Sequence, residues 1–118
     1  MSRSITVRFD LPGFHRWPEA PPHRIYLAAK HRHLFRVSVS MPVRHDDREV
    51  EFHDLRDEAE ALLQGIAEDG SDFGRQSCED IARRLATVLG DAYDRPVTVT
   101  VSEDGEFDAT VSLPGVWA

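Results

Sequence analysis

His31-Arg32-His33-Leu34-Phe35-Arg36-Val37-Ser38-Val39-Ser40-Met41 is the most informative run in the chain. From Phe35 onward the odd positions are apolar, and Arg36, Ser38 and Ser40 between them are polar. An alternation of period two marks a strand with one buried face. Side chains two apart in a strand share a face. His31 and His33 therefore continue the row of Phe35 and Val37 at its edge. Two imidazoles side by side at a strand end form a pair of possible metal ligands. Two ordinary surface or core histidines would look the same in sequence.

The flanking segments fix the class. Ile5, Val7, Phe9 and Leu11 alternate with polar residues and predict a first strand, which Pro12-Gly13 is expected to end. Residues 12–23 carry Pro12, Pro18, Pro21 and Pro22 and are expected to form an ordered loop or crossover rather than a helix. In it, Phe14 and Trp17 read as anchors against the core, with stacking on a ligand as the alternative. Residues 24–30 lead into the second strand at 31–43, and His45-Asp46-Asp47-Arg48 reads as a polar turn. Phe52, Leu55, Ala59, Leu62, Leu63 and Ile66 step by threes and fours and predict an amphipathic helix. Residues 67–76 read as a loop. Ser77 and Asp80 resemble a capping box at the start of a second helix, with Ile81, Leu85, Val88 and Leu89 as its buried stripe and Gly90 as its stop. Val97, Val99 and Val101 predict a third strand, Asp104-Gly105 a hairpin turn, and Phe107, Ala109, Val111 and Leu113 a fourth strand. The expected architecture is α+β in the order β-β-α-α-β-β, one antiparallel four-stranded sheet with two helices packed on one face. No linker divides residues 1–118, so one domain is expected.

Composition excludes several partners. The 14 Lys and Arg against 21 Asp and Glu give a formal charge of -7, which argues against coating nucleic acid or an anionic membrane. No apolar run approaches the roughly 20 residues of a membrane span. Cys78 is the only cysteine, so no intrachain disulfide can form and nothing suggests secretion. Residues 1–12 lack the apolar core of a signal peptide, and a cytoplasmic location is the expectation.

Parity adds one acid. Glu103 shares the face of Val97, Val99 and Val101, where a carboxylate is costly to bury unless paired. The alternative is that Glu103 has left the strand and faces water.

Five segments together resemble the 6-pyruvoyl tetrahydropterin synthase family, which includes the 6-carboxytetrahydropterin synthases of 7-deazaguanine biosynthesis. His15-Arg16-Trp17-Pro18 looks like the family's His-Arg-Leu-Pro, and His31-Arg32-His33 like its His-Gly-His. Glu51-Phe52-His53-Asp54-Leu55 is similar to the start of its first helix, and Ser77-Cys78-Glu79-Asp80-Ile81-Ala82 to the start of its second. Val99-Thr100-Val101-Ser102-Glu103 looks like its Val-x-Val-x-Glu. The resemblance spans nearly the whole chain. It implies a T-fold, assembly as a trimer or hexamer, and sites at subunit interfaces. It implies a Zn²⁺ ion held by His15, His31 and His33, with His23 as a substitute for the first. Three histidines with an open fourth position characterise a catalytic rather than a structural zinc site. It further implies a pterin-like small molecule, anchored by Glu103 through two parallel N–H donors, with Glu79 as a second substrate-binding position.

The sequence departs from the family at the chemistry. Tyr26, Leu27 and Ala28 stand where the family has its cysteine, and residues 67–75 hold no Asp-His pair. Cys78 at a helix start, His53, Asp72, and behind them His45 and Asp69, are the candidates for acid–base or nucleophilic work. The resemblance thus implies a zinc-dependent lyase- or epimerase-type step on a pterin. The alternatives are a non-catalytic pterin- or purine-binding protein and a structural oligomer.

Overall fold

The structure, a computed structural model, describes residues 1–117. Its elements run β1 (Ser4–His15), a short 3₁₀ helix (Pro22–Leu27), β2 (His31–Pro42), α1 (Phe52–Ile66), α2 (Cys78–Tyr93), β3 (Val97–Glu103) and β4 (Phe107–Leu113). The four strands form one sheet in the order β1-β2-β3-β4, with every neighbouring pair antiparallel. Alternation decides which face is covered. Val7, Phe9 and Leu11 of β1, Phe35, Val37, Val39 and Met41 of β2, and Val97, Val99 and Val101 of β3 are buried in one core with the helices. Leu55, Ala59 and Leu63 pack down from α1, and Ile81, Leu85 and Leu89 from α2. The opposite face is polar. Hydroxyl pairs cross it between strands, with Thr6 donating to Ser40 at 3.1 Å and Thr100 against Thr110 at 2.8 Å.

β1 does not end at Pro12-Gly13. It runs on to His15, paired with β2 from Ser4↔Pro42 to His15↔His31. The N–H groups of Phe14 and Arg16 point away from β2 and donate to the carbonyls of Ser71 (2.9 Å) and Gly74 (2.8 Å). Pro12 has the same parity, so its missing donor falls on the outer edge and removes no bond of the β1–β2 ladder. Gly13 is required by closeness. A Cβ there would lie 2.9 Å from the Ser71 carbonyl oxygen and 3.0 Å from the Phe35 ring.

α2 also outruns its expected stop. It continues through Gly90 to Tyr93 and ends on Asp94, whose φ of 52° is left-handed. Pro96, two residues on, cannot continue a helix. The capping box forms as expected, with Ser77 Oγ accepting from Asp80 N–H at 3.0 Å and Asp80 Oδ2 accepting from Ser77 N–H at 3.4 Å. Phe52, placed by periodicity on the buried stripe of α1, is the first residue of the helix and is 59% exposed. Val88 of α2 is likewise exposed, and Ala82 and Ala86 fill the stripe beside Leu85 instead. At the β3–β4 turn Asp104 and Gly105 both take positive φ, and Glu106 N–H donates to Glu103 C=O at 2.9 Å, as a type I′ turn requires. Among the described residues no helix is long and apolar enough to cross a membrane.

Candidate metal centre

The end of β1 and the start of β2 bring three imidazoles together. His15 and His31 are direct cross-strand partners, and His33 stands opposite Gly13. The ring centroids are 4.6, 4.9 and 5.1 Å apart, and one ligand atom from each ring lies within 4.8 Å of the others. His15 is buried, while His31 and His33 are half-buried.

Each ring is held by an oxygen at its Nδ1. His15 Nδ1 bonds the Gln76 carbonyl at 2.9 Å, His31 Nδ1 the Ala29 carbonyl at 2.9 Å, and His33 Nδ1 the Asp104 carboxylate at 2.7 Å. Carbonyl and carboxylate oxygens only accept, so in the neutral ring each Nδ1 carries the hydrogen. All three Nε2 atoms keep their lone pairs. Oxygen partners of this kind orient the histidine ligands in metal sites. Burial holds His15 below the ordinary imidazole pKa, against the raising effect of the Gln76 carbonyl, and favours the neutral ring that a metal needs. The Nε2 of His33 is buried without a hydrogen-bond partner. A buried lone pair with no donor opposite it is costly. A divalent cation would satisfy it, so the residues present fit the zinc ion that the sequence implies.

Glu103 ends β3 opposite Phe35 and leans over the triad. Its Oε2 lies 3.3 Å from His33 Nε2 and its Oε1 3.6 Å from His15 Nε2. Its side chain is 27% exposed, so it stays on the row of Val97, Val99 and Val101 rather than turning to water. Cys78 Sγ–H donates to Oε1 at 3.5 Å. Burial, with Glu103 next in effect, pushes the Cys78 thiol up to about 12, so at neutral pH it is a donor and not a thiolate. The helix N-terminus that would favour the thiolate is outweighed by desolvation and a neighbouring anion.

Beside the triad opens a cavity of about 270 Å³, whose lining includes His15, Arg16, Trp17, His31, Arg75, Glu79 and Glu103. Trp17 is 46% exposed there and is not sunk in the core as an anchor. Its backbone is pinned instead, its N–H donating to Leu27 C=O at 2.8 Å and its C=O accepting from Ala20 N–H at 3.0 Å. Leu27 closes the 3₁₀ helix and also lines the cavity. A small cavity with one broad aromatic face and a few convergent polar groups suits a flat, polar heterocycle.

The remaining candidates lie elsewhere. His53 is exposed at the start of α1, paired with Glu51 at 2.9 Å, and with His45 borders a separate groove near Ser2–Ile5. Asp72 accepts from Gly74 N–H at 2.8 Å and pairs with Lys30 at 3.2 Å. These contacts, the backbone donor first, hold it below the usual carboxylate range. Asp69 is held low in the same way by the N–H groups of Asp72 and Ser71. Both acids shape the 69–74 loop, whose carbonyls receive the end of β1. His23 is exposed and outside the triad. Sequence reading missed the parts of Gln76 and Asp104, and for Trp17 it preferred an anchor to a cavity wall. Asp104 carried a signal only as a turn residue, yet its carboxylate also caps Leu34 N–H at 2.7 Å.

No family model matches the sequence, and no curated protein matches it. Solved structures do match. A catalytic-residue mutant of 6-pyruvoyltetrahydropterin synthase from Plasmodium vivax aligns with a TM-score of 0.71 at 15% identity, over 97% of this chain and 99% of that one. An uncharacterized protein from Wolinella succinogenes aligns at 0.64 and 17% identity, over 94% and 98%. The 6-pyruvoyl tetrahydropterin synthase of Caenorhabditis elegans aligns at 0.58 and 13% identity, over 94% and 95%. Identities this low speak to architecture. Full-length agreement in both directions, on a sheet and helix pair of the same order, gives the chain the T-fold of the 6-pyruvoyl tetrahydropterin synthases.

Proposed function

We propose that the chain is a zinc-dependent enzyme of the lyase type acting on a pterin. The observation that carries this reading is the set of three Nε2 lone pairs, each fixed by an oxygen at the opposite ring nitrogen, beside a cavity that His15 and His31 line together with a carboxylate and a tryptophan. A zinc ion bound there would polarise a carbonyl or hydroxyl oxygen of the substrate. His15, His31 and His33 would hold it.

The other groups divide the remaining work. Glu103 accepts the paired N–H donors of an aminopyrimidinone edge. Trp17 covers one face of the ring, and Glu79 closes the cavity beyond it. Arg16 and Arg75 line the same cavity and suit an anionic substituent, with Arg75 steadied by Glu19. Lys30 is tied to Asp72 and is no part of that lining. The outer edge of β4, and that of β1 before Phe14, carry no strand partner among the described residues, which supports closure of the sheet into a homo-oligomeric ring.

One observation favours a second reading, a pterin binder without turnover. Cys78 is protonated, and Asp69 and Asp72 are committed to the 69–74 loop, so none of these three is a free proton-transfer group at the triad. The two readings part in one assay. Zinc-loaded protein is incubated with dihydroneopterin triphosphate and with neopterin, and products and bound ligand are separated by chromatography. The enzyme reading predicts a product that His31→Ala abolishes. Binding without product selects the second reading, and neither binding nor product overturns both.

A further inference from the structure

We propose that Glu103 is a fourth ligand of the metal held by His15, His31 and His33, closing its shell until a substrate draws the carboxylate away. The proposal rests on the metal reading of the triad and goes beyond it. A tetrahedral ion with bonds of about 2.0–2.1 Å sets its ligand atoms roughly 3.3–3.4 Å apart. The two Glu103 oxygens lie 3.3 Å from His33 Nε2 and 3.6 Å from His15 Nε2, one oxygen to each ring. These contacts are not hydrogen bonds. His33 Nε2 has no hydrogen-bond partner, and the hydrogens of both rings are committed at Nδ1. In the neutral rings two nitrogen lone pairs and a carboxylate thus face one another, the His33 contact at ligand spacing and the His15 contact slightly longer. That arrangement is repulsive unless a metal ion sits among them or a ring takes up a second proton.

The carboxylate is also built to leave. It is partly exposed, it lines the cavity, and among the described residues the only side chain donating a hydrogen bond to it is the weakly donating Cys78 thiol. A ring edge with two parallel N–H donors competes for the same oxygens with a stronger, bidentate contact. Moving Glu103 onto that edge vacates one coordination position beside the bound ring. The open position would then exist only when the cavity is filled, so the metal would be shielded from water and stray ligands at rest.

Cobalt(II) replaces zinc as a visible reporter of ligand number and type. Wild-type protein and Glu103→Gln are loaded with Co²⁺, and affinity and visible spectrum are measured without pterin and then with neopterin. Expected for Glu103→Gln is a loss of affinity of at least the ~10- to 100-fold that even an outer-shell partner costs, with altered bands before any pterin is added. In wild type, neopterin shifts the bands. Equal affinity and an unchanged spectrum in Glu103→Gln overturn the fourth-ligand role while leaving the triad standing. Wild type that binds no metal overturns the triad as well. Independent of any variant, a crystal structure of the zinc-loaded wild type should place a Glu103 oxygen about 2.0–2.2 Å from the ion. A water there instead, with the carboxylate turned away, overturns the proposal.

Discussion

Gly13 shows how tightly the triad's surroundings are built. It stands opposite His33 on β2, with the Ser71 carbonyl and the Phe35 ring both crowding the position a Cβ would take. A methyl group added there meets a backbone oxygen at 2.9 Å, and backbone that is itself hydrogen-bonded to Phe14 cannot easily give way. Gly13→Ala should therefore destabilise the fold by about 1–3 kcal/mol, as overpacking does, measured by denaturant unfolding. It should also weaken metal binding, because the displaced loop carries Gln76, which orients His15. A stability within experimental error of wild type would show that the 71–74 loop yields freely. At this scale, period-two parity made legible that His31 and His33 share the face of Phe35 and Val37, whereas for Glu103 it left open whether the side chain continues the row of Val97, Val99 and Val101 or turns to water. The contacts of Glu103 with His15 and Cys78, and of Asp104 with His33, were not. They join residues distant in sequence, and side-chain reach across a sheet leaves no periodic trace.

At the scale of elements, the ends of α1 and α2 are fastened by charge. Glu49, in the turn before α1, accepts from Arg44 N–H at 2.7 Å and from the Arg95 guanidinium at 3.2 and 3.3 Å, and Arg95 also bonds the Pro42 carbonyl at 3.0 Å. The Arg44 backbone donor, then Arg95, lower the Glu49 pKa to about 2. A carboxyl whose folded pKa is depressed stabilises the fold above its unfolded value of about 4.5, and that contribution is lost as pH falls toward 2. Glu49→Gln should thus lower the melting temperature at pH 7 and make little difference near pH 2. An equal deficit at both pH values would show that the loss comes from packing and not from the charge. The helices themselves were legible because their stripes step by threes and fours and Ser77-Asp80 forms its box. Their ends were less so. Gly90 meets only the Arg95 carbonyl at an ordinary 3.6 Å, so nothing requires a glycine to end the helix there. Tyr93 extends α2 by bonding Glu58 of α1 at 2.6 Å, a contact made across the helix pair. β1 outran Pro12 for a like reason. The 71–74 loop supplies partners to an edge that the local sequence shows as unpaired.

The molecule as a whole measures 51 by 23 by 23 Å, its length set by the long β1–β2 pair. The triad sits at the end of that pair, and its oxygen partners come from elsewhere. Gln76 precedes α2, Ala29 precedes β2, and Asp104 turns β3 into β4. A metal ion there would tie the sheet to all three of those connections. The order of elements was legible in the sequence, whereas the convergence of those connections on one site belongs to the assembled fold. Direct metal counting tests the central claim. Wild-type protein and His31→Ala are stripped with chelator, titrated with Zn²⁺ and analysed for bound metal, with thermal unfolding followed in parallel. The account predicts one tightly bound ion per chain in wild type, a gain of about 2.7 kcal/mol in stability at 100 times the dissociation constant, and loss of both in His31→Ala. Wild-type protein that binds no zinc, or a His31→Ala variant that binds it equally well, would contradict it.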